Sequence, residues 1–212
     1  MEYRGVTVWF TGLPCSGKST VANLVAARLR EMGCRVQRLD GDVVRKTISR
    51  DLGFSKEDRE KNIERVTFVA KLLTANDIIV LTAFISPYRA MRERARKEIG
   101  SFIEVYVKCP LEECMRRDIK GMYKKALAGE IKNYTGISDP YEPPQSPELV
   151  LETDKEKPAE SAEKVIDKLE ELGYLRRPRP YFHGHLVTEK MFEDLTLMEE
   201  KIKKRLKRLG YL

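Results

Sequence analysis

The sequence predicts a three-layer α/β fold: a five-stranded parallel sheet with helices on both faces, a lid segment and a C-terminal helical appendage. Three observations predict it. Short β-branched runs alternate with amphipathic stretches of helical period over most of the chain, as in a parallel sheet built from strand–helix–strand units. A glycine-rich signature stands between the first such run and the first helical stretch. The 212 residues are enough for one substantial core without disulfides, and no apolar run approaches the roughly 18 residues of a membrane span.

Val6–Thr11 is β-branched and aromatic and ends at Gly12, which predicts a buried strand. Val21, Leu24, Val25 and Leu29 recur at helical spacing, so Lys18–Met32 is a helix that Gly33 stops. Arg35–Leu39 reads as a second strand, and helices follow at about Val43–Arg50 and Lys56–Ala75. Ser55, with Asp58 three residues on, is the capping signal of the longer one. Ile78–Ile85 is the most continuous apolar run and predicts a central strand. A helix from Pro87 to Ile99, a strand at Phe102–Val107, a short helix at Leu111–Arg117, a strand at Leu149–Leu151 and a helix at Pro158–Leu172 complete the body. Periodicity fails over residues 118–147, where glycines and prolines mix with lysines and tyrosines. A long irregular stretch of that composition inside a compact domain reads as a lid. The expected division is a domain of residues 1–175 and a basic extension of residues 176–212.

The net charge is +7, from 40 basic and 33 acidic residues. Ten of the basic and five of the acidic residues lie in Arg176–Leu212, so the excess concentrates in the tail. This fits an anionic ligand in the body and a separate partner or a solvated face for the tail. Cys15, Cys34, Cys109 and Cys114 form no CxxC pair, and neither histidine has a partner at metal-ligand spacing, which argues against zinc. The Gly5–Leu13 run lacks a cleavage site behind it, so the expected location is cytoplasmic, with reduced thiols.

Gly12, Leu13, Pro14, Cys15, Ser16, Gly17, Lys18, Ser19 and Thr20 fit G-x-x-x-x-G-K-[ST] in a strand–loop–helix context, which makes the fold a P-loop NTPase fold. Backbone N–H groups and the helix dipole favour a phosphate there. Lys18 reaches the β- and γ-phosphates of a nucleoside triphosphate, and Ser19 offers a hydroxyl to Mg²⁺. Chance produces the pattern in on the order of 1% of chains this long, so a glycine turn that merely carries a lysine is the weaker reading. No NKxD motif and no acidic Walker B pair after Ile78–Ile85 occur, which disfavours GTPases and motors. Asp40-Gly41-Asp42 ends the second strand, in the crevice where open α/β sheets bind ligands. One carboxylate can orient the metal; the other can accept a hydroxyl proton.

Read together, GLPCSGKST, LDGDVVR, LGFSKEDREKNIERV, VLTAFISPYRAMRERAR, FIEVYVKCPLEECMRRD, KGMYKKALAGEIKNYTGISDPYEPP and VLETD resemble the adenylylsulfate kinase (APS kinase) family, in order from about Gly5 to Leu175. The resemblance implies a sheet order of 2-3-1-4-5 and transfer of the ATP γ-phosphate to the 3′-hydroxyl of adenosine 5′-phosphosulfate. It implies catalytic roles for Lys18, Asp40, Asp42 and Ser86, with Asp42 as the base and Ser19 and Asp40 near the metal. Arg45, Arg59 and Asn62 resemble the residues that hold the sulfate–phosphate and ribose, and Phe54 and Tyr134 those that sandwich the adenine. Ile85 joins Ser86 on the substrate side, Lys120 matches a lid lysine, and Arg116 resembles an arginine near the ATP base. Ser86 matches a serine described as phosphorylated in some members; direct in-line transfer needs no such intermediate, so substrate positioning is an equal reading.

Val43 stands where the family has asparagine, Ile119 where it has proline, Thr67 where it has glycine, and Tyr134 where it has phenylalanine. Two other functions remain open: the same chemistry on another small hydroxyl acceptor, and a non-catalytic nucleotide-binding module with a basic tail. In the tail, Leu195, Met198, Ile202, Leu206 and Leu209 form an apolar stripe. It suits packing on its own subunit, pairing in a homodimer or, less well, a nucleic-acid or acidic partner for the basic face.

Overall fold

The computed structural model describes residues 2–176. Apart from Arg176, the extension expected at residues 176–212 lies outside the described residues. Five parallel strands form the main sheet: β2 (Val6–Thr11), β3 (Val36–Asp40), β4 (Ile79–Ala83), β5 (Phe102–Lys108) and β6 (Leu149–Glu152). Their spatial order is β3-β4-β2-β5-β6. Counted among themselves they run 2-3-1-4-5. The labels differ by one because a two-residue strand, β1 (Glu2–Tyr3), precedes them and pairs antiparallel with β7 (Leu175–Arg176). Nothing in the sequence pattern announced that small sheet.

Alternation along β2 divides the core. Val6, Val8 and Phe10 face one layer with Ile79, Leu81, Ile103, Val105 and Val107, against α1 (Lys18–Glu31) and α7 (Pro158–Glu171). Trp9 faces the other layer with Val80 and Phe102, against α3 (Lys56–Ala75) and α4 (Arg89–Ile99). Burying Val21, Val25 and Leu29 of α1 contributes about 1.5–3 kcal/mol per side chain. Trp9 stacks between Phe84 and Phe102, with ring centroids 6.2 and 5.6 Å away.

Three boundaries depart from the sequence reading. The helix expected at Val43–Arg50 is α2, Gly41–Lys46, because the Asp40 carboxylate accepts the Asp42 N–H and starts it early. The helix expected from Pro87 starts at Arg89, because the Pro87 carbonyl is taken by the Glu142 N–H at 2.8 Å. The lid is not wholly irregular. It carries α6 (Met122–Leu127), whose Tyr123 and Lys124 N–H groups bond the Asp118 carboxylate just after α5 (Leu111–Arg117).

Register sets the site. Asp40 of β3 lies opposite Ala83 of β4, which lies opposite Phe10 of β2. The carboxylate pair, the Ser86 loop and the glycine loop therefore share the C-terminal edge of three adjacent strands.

Candidate active site

The loop from Gly12 to Gly17 is shaped by positions that exclude side chains. A Cβ on Gly12 would sit 2.4 Å from the Val107 carbonyl oxygen. Gly17, with φ of 99°, starts α1 from the left-handed region. Lys18 is buried in the loop and donates to the Gly12 oxygen at 2.9 Å, the Leu13 oxygen at 2.6 Å and Ser16 Oγ at 3.4 Å. Loss of water pushes its ammonium from 10.5 down to about 8, against smaller opposing pulls from Cys114, Cys15 and Asp40. The loop is clasped from outside: Thr153 Oγ1 donates to the Ser16 carbonyl at 2.7 Å and Tyr123 Oη to the Pro14 carbonyl at 3.0 Å. Neither was singled out from sequence, although both lie in the blocks that carry the resemblance.

Ser19, next to the lysine, donates to Asp40 Oδ2 at 2.9 Å. Arg38 donates to the same oxygen at 3.0 Å, and Oδ1 caps α2. Asp40 is thus fixed from three sides. Asp42 is largely exposed and pairs with Lys120, reaching across from the lid. That hydrogen bond raises the pKa of the Lys120 ammonium.

Ser86 lies in the loop after β4, with φ of 39° and only 2% exposure. Its hydroxyl accepts from Trp9 Nε1 at 3.0 Å and donates to Thr11 Oγ1 at 3.1 Å. Thr11 in turn donates to the Ile85 carbonyl at 2.7 Å and contacts Tyr141 Oη at 3.0 Å. The network ties the end of β2 to Ser86, Ile85 and the far end of the lid.

On the next wall, Arg45 lies over the Phe54 ring at 4.3 Å and donates to the Gly53 carbonyl at 2.6 Å. Burial, then the charge of Arg59, lowers the Arg45 pKa. Arg59 is buried, donating to the Phe54 carbonyl at 2.9 Å, Thr135 Oγ1 at 2.8 Å and the Asn133 carbonyl, with Asp139 at 3.5 Å. It therefore pins the Asn133–Asp139 turn onto α3. Asn62, one turn along α3, is buried with Oδ1 accepting no hydrogen bond. Phe54 is 59% exposed. Tyr134 instead packs edge-on against Tyr123, with centroids 5.1 Å apart. Among the described residues no ring contact joins Phe54 to Tyr134. Arg116 is exposed and chelates Glu113 with two bonds of 2.7 and 2.8 Å.

The donor set around Ser19 and Asp40 is a hydroxyl and a carboxylate, hard oxygens that suit Mg²⁺ with waters and phosphates completing its shell. Among the described residues no cluster of three or more His, Cys, Asp or Glu could hold a metal by itself, and no helix is long and apolar enough to cross a membrane.

A phosphate loop with a buried lysine, a serine bonded to a strand-end carboxylate and a second, exposed carboxylate define a P-loop phosphotransferase. The comparisons narrow the class. The sequence model of adenylylsulphate kinase matches residues 4–152, and the chain belongs to that family. It is 64% identical over 181 residues to the adenylyl-sulfate kinase of Halothermothrix orenii, covering 85% of this chain and 98% of that one. It is 57% identical to that of a Picosynechococcus strain, covering 82% and 99%. Among solved structures, the Mycobacterium tuberculosis APS kinase in complex with AMPPNP and APS superposes with a TM-score of 0.77 at 47% identity, over 80% of this chain and 99% of that one.

Proposed function

We propose that the chain transfers the γ-phosphate of ATP to the 3′-hydroxyl of adenosine 5′-phosphosulfate, giving ADP and 3′-phosphoadenosine 5′-phosphosulfate (PAPS). One observation carries the reading. Ser19, next to the loop lysine, bonds Asp40, and Asp42 stands two residues on with an exposed carboxylate paired to the lid's Lys120. The donor and acceptor halves of a phosphoryl transfer meet there.

The β- and γ-phosphates lie in the Gly12–Thr20 loop, where Lys18 exchanges carbonyl oxygens for phosphate oxygens. Its charge is worth most as negative charge shifts toward the leaving ADP. Asp42 accepts the proton of the 3′-hydroxyl while that oxygen bonds to the γ-phosphorus and the bond to the β–γ bridging oxygen breaks. Mg²⁺, held by Ser19 and Asp40 when bound, neutralises charge on the phosphates. Arg45, Arg59 and Asn62 line the side that takes the sulfate–phosphate, and Phe54 and Tyr134 offer rings to the adenine. Lys120 brings a lid cation to the carboxylate where transfer occurs. Ser86 is enclosed and already bonded on both sides, which supports positioning and direct transfer over a phosphoserine intermediate.

The test supplies ATP and Mg²⁺ with adenosine 5′-phosphosulfate, and in parallel with sugars, polyols and shikimate-like alcohols, and separates the products by anion exchange. One PAPS per ADP, at a kcat/KM orders of magnitude above any ring-free alcohol, is expected. A ring-free hydroxyl compound as the best acceptor would overturn the substrate assignment and leave the fold untouched.

A further inference from the structure

A buried arginine outside the motif roles ties the two segments that frame the acceptor. Arg92 of α4 is 2% exposed, and its three nitrogens point three ways. Nε donates to Glu104 Oε1 of β5 at 2.7 Å, Nη1 to the Ser86 carbonyl at 2.6 Å and Nη2 to the Glu142 carbonyl at 2.7 Å. Its guanidinium also lies 5.8 Å from the centroid of the Tyr141 ring. We propose that Arg92 is a positioning residue for the acceptor half of the reaction: it holds the Ser86 loop and the lid's C-terminal root, Tyr141–Glu142, in one register.

The geometry gives the reason. Ser86 and Tyr141 both reach Thr11 Oγ1, immediately before the phosphate loop. Their distance from each other is therefore set twice, once through hydroxyls and once through the Arg92 fork. Only a planar guanidinium delivers three directed donors from one point; a lysine ammonium keeps the charge and loses the fork. Glu104 fixes the fork's orientation from β5. A second arginine on the same helix provides an internal comparison. Arg96 bonds Glu148 through two hydrogen bonds, 2.6 and 2.8 Å, and approaches Glu104 at 3.5 Å. Among the described residues its hydrogen bonds and ion pairs reach neither the Ser86 nor the Glu142 carbonyl, so it belongs to the ion network without touching the register.

The phosphate loop has its own clasps in Thr153 and Tyr123, so disturbing Arg92 falls on the acceptor. The inference rests on the acceptor site described under Proposed function. Arg92→Lys, Arg96→Ala and wild type are compared for KM of both substrates, kcat and thermal midpoint. Arg92→Lys should raise the KM for adenosine 5′-phosphosulfate at least about tenfold and leave the ATP KM within about twofold. Arg96→Ala should lower the thermal midpoint with both KM values near wild type. Equal rises in both KM values for Arg92→Lys, or an acceptor KM in Arg96→Ala raised as much, would make the effect general loosening and overturn the proposal. If Arg92→Lys does not fold, Tyr141→Phe removes the hydroxyl tie of the same register. An acceptor KM raised at least about threefold is expected there, and no change overturns the proposal. Wild-type turnover of adenosine 5′-phosphosulfate in the same experiment keeps failure of this inference separate from failure of the substrate assignment.

Discussion

Lys18 is the residue whose environment makes the most quantitative demand on the enzyme. Enclosed by loop oxygens, its ammonium is pushed from 10.5 down to about 8 by burial. A lysine must be charged to hold the β- and γ-phosphates, and kcat/KM for ATP reports groups of the free enzyme. That ratio should be level below about pH 7, halve near pH 8 and drop to about one tenth at pH 9. An ordinary lysine would still be about 95% charged at pH 9 and give no fall. Bound phosphate favours the charged form, so the alkaline limb of kcat should lie at higher pH than that of kcat/KM. Initial rates of PAPS formation at saturating acceptor provide the profile. Lys18→Arg, charged throughout, should keep a lower but level profile. The same shift bears on stability. The folded-state value lies below the unfolded one, so between about pH 8 and 10.5 the unfolded chain binds more protons and stability rises with pH. Below that window the nucleotide-free protein carries the full penalty, on the order of 3 kcal/mol. Lys18→Met should therefore unfold at a higher temperature than wild type near pH 7 while losing turnover. A wild-type kcat/KM for ATP constant within twofold from pH 7 to 9 would refute the reasoning.

Asp42→Asn removes the proposed proton acceptor and keeps the shape; kcat should fall at least about 100-fold with ATP binding largely kept, measured by single-turnover rates and nucleotide titration. An effect confined to ATP affinity would move Asp42 to the metal. Ser86→Ala should retain substantial turnover, and wild type incubated with γ-³²P-ATP alone should carry no label; a chemically competent phosphoserine would make the reaction double-displacement. Phe54→Ala should weaken the acceptor about 10–100-fold and leave ATP nearly unchanged, by loss of base stacking. Because Arg45 lies on the Phe54 ring, a double-mutant cycle of Arg45→Ala with Phe54→Ala should show coupling of at least about 0.5 kcal/mol on the acceptor; strict additivity would separate the two.

What the sequence made legible is what is local. The glycine loop, its strand and its helix are contiguous, so residues 6–31 could be read with their chemistry attached. Long elements such as α3 carried both period and cap, with Ser55 accepting from the Asp58 N–H as expected. What escaped depends on partners far along the chain. β1 and β7 are two residues each and pair across most of the sequence, beyond any periodic signal. α6 is six residues between Gly121 and Gly129, and only its buried Tyr123 and Ala126 mark a face. The start of α4 shifted because a lid N–H takes the Pro87 carbonyl. Arg92 sits among Arg89, Arg94, Arg96 and Lys97, so its residue type did not set it apart. Its helical phase shared with Met91 and Ala95, all buried, was the available sign that one arginine of that run points inward.

In the proposed acceptor wall the same residues would serve structure and substrate together. A guanidinium has five N–H donors. Arg45 directs its Nη1 at the Leu52 and Gly53 carbonyls, and its hydrogen bonds among the described residues all run through that one nitrogen. Arg59 commits one donor from each nitrogen to Phe54, Thr135 and Asn133, and keeps less in reserve. The two therefore differ in kind: Arg59 chiefly sets where the Asn133–Asp139 turn and the Phe54 backbone lie, while Arg45 has the freer fork for an anion. Both hold the same short segment, Arg59 by the Phe54 carbonyl and Arg45 by the carbonyls before it. An acceptor that stacks on Phe54 thus meets a ring already fixed on two sides. With the acceptor site as proposed, that lowers the ordering cost of binding and favours a ligand with both a base and an anionic tail, since either part alone leaves a prepared group without its partner.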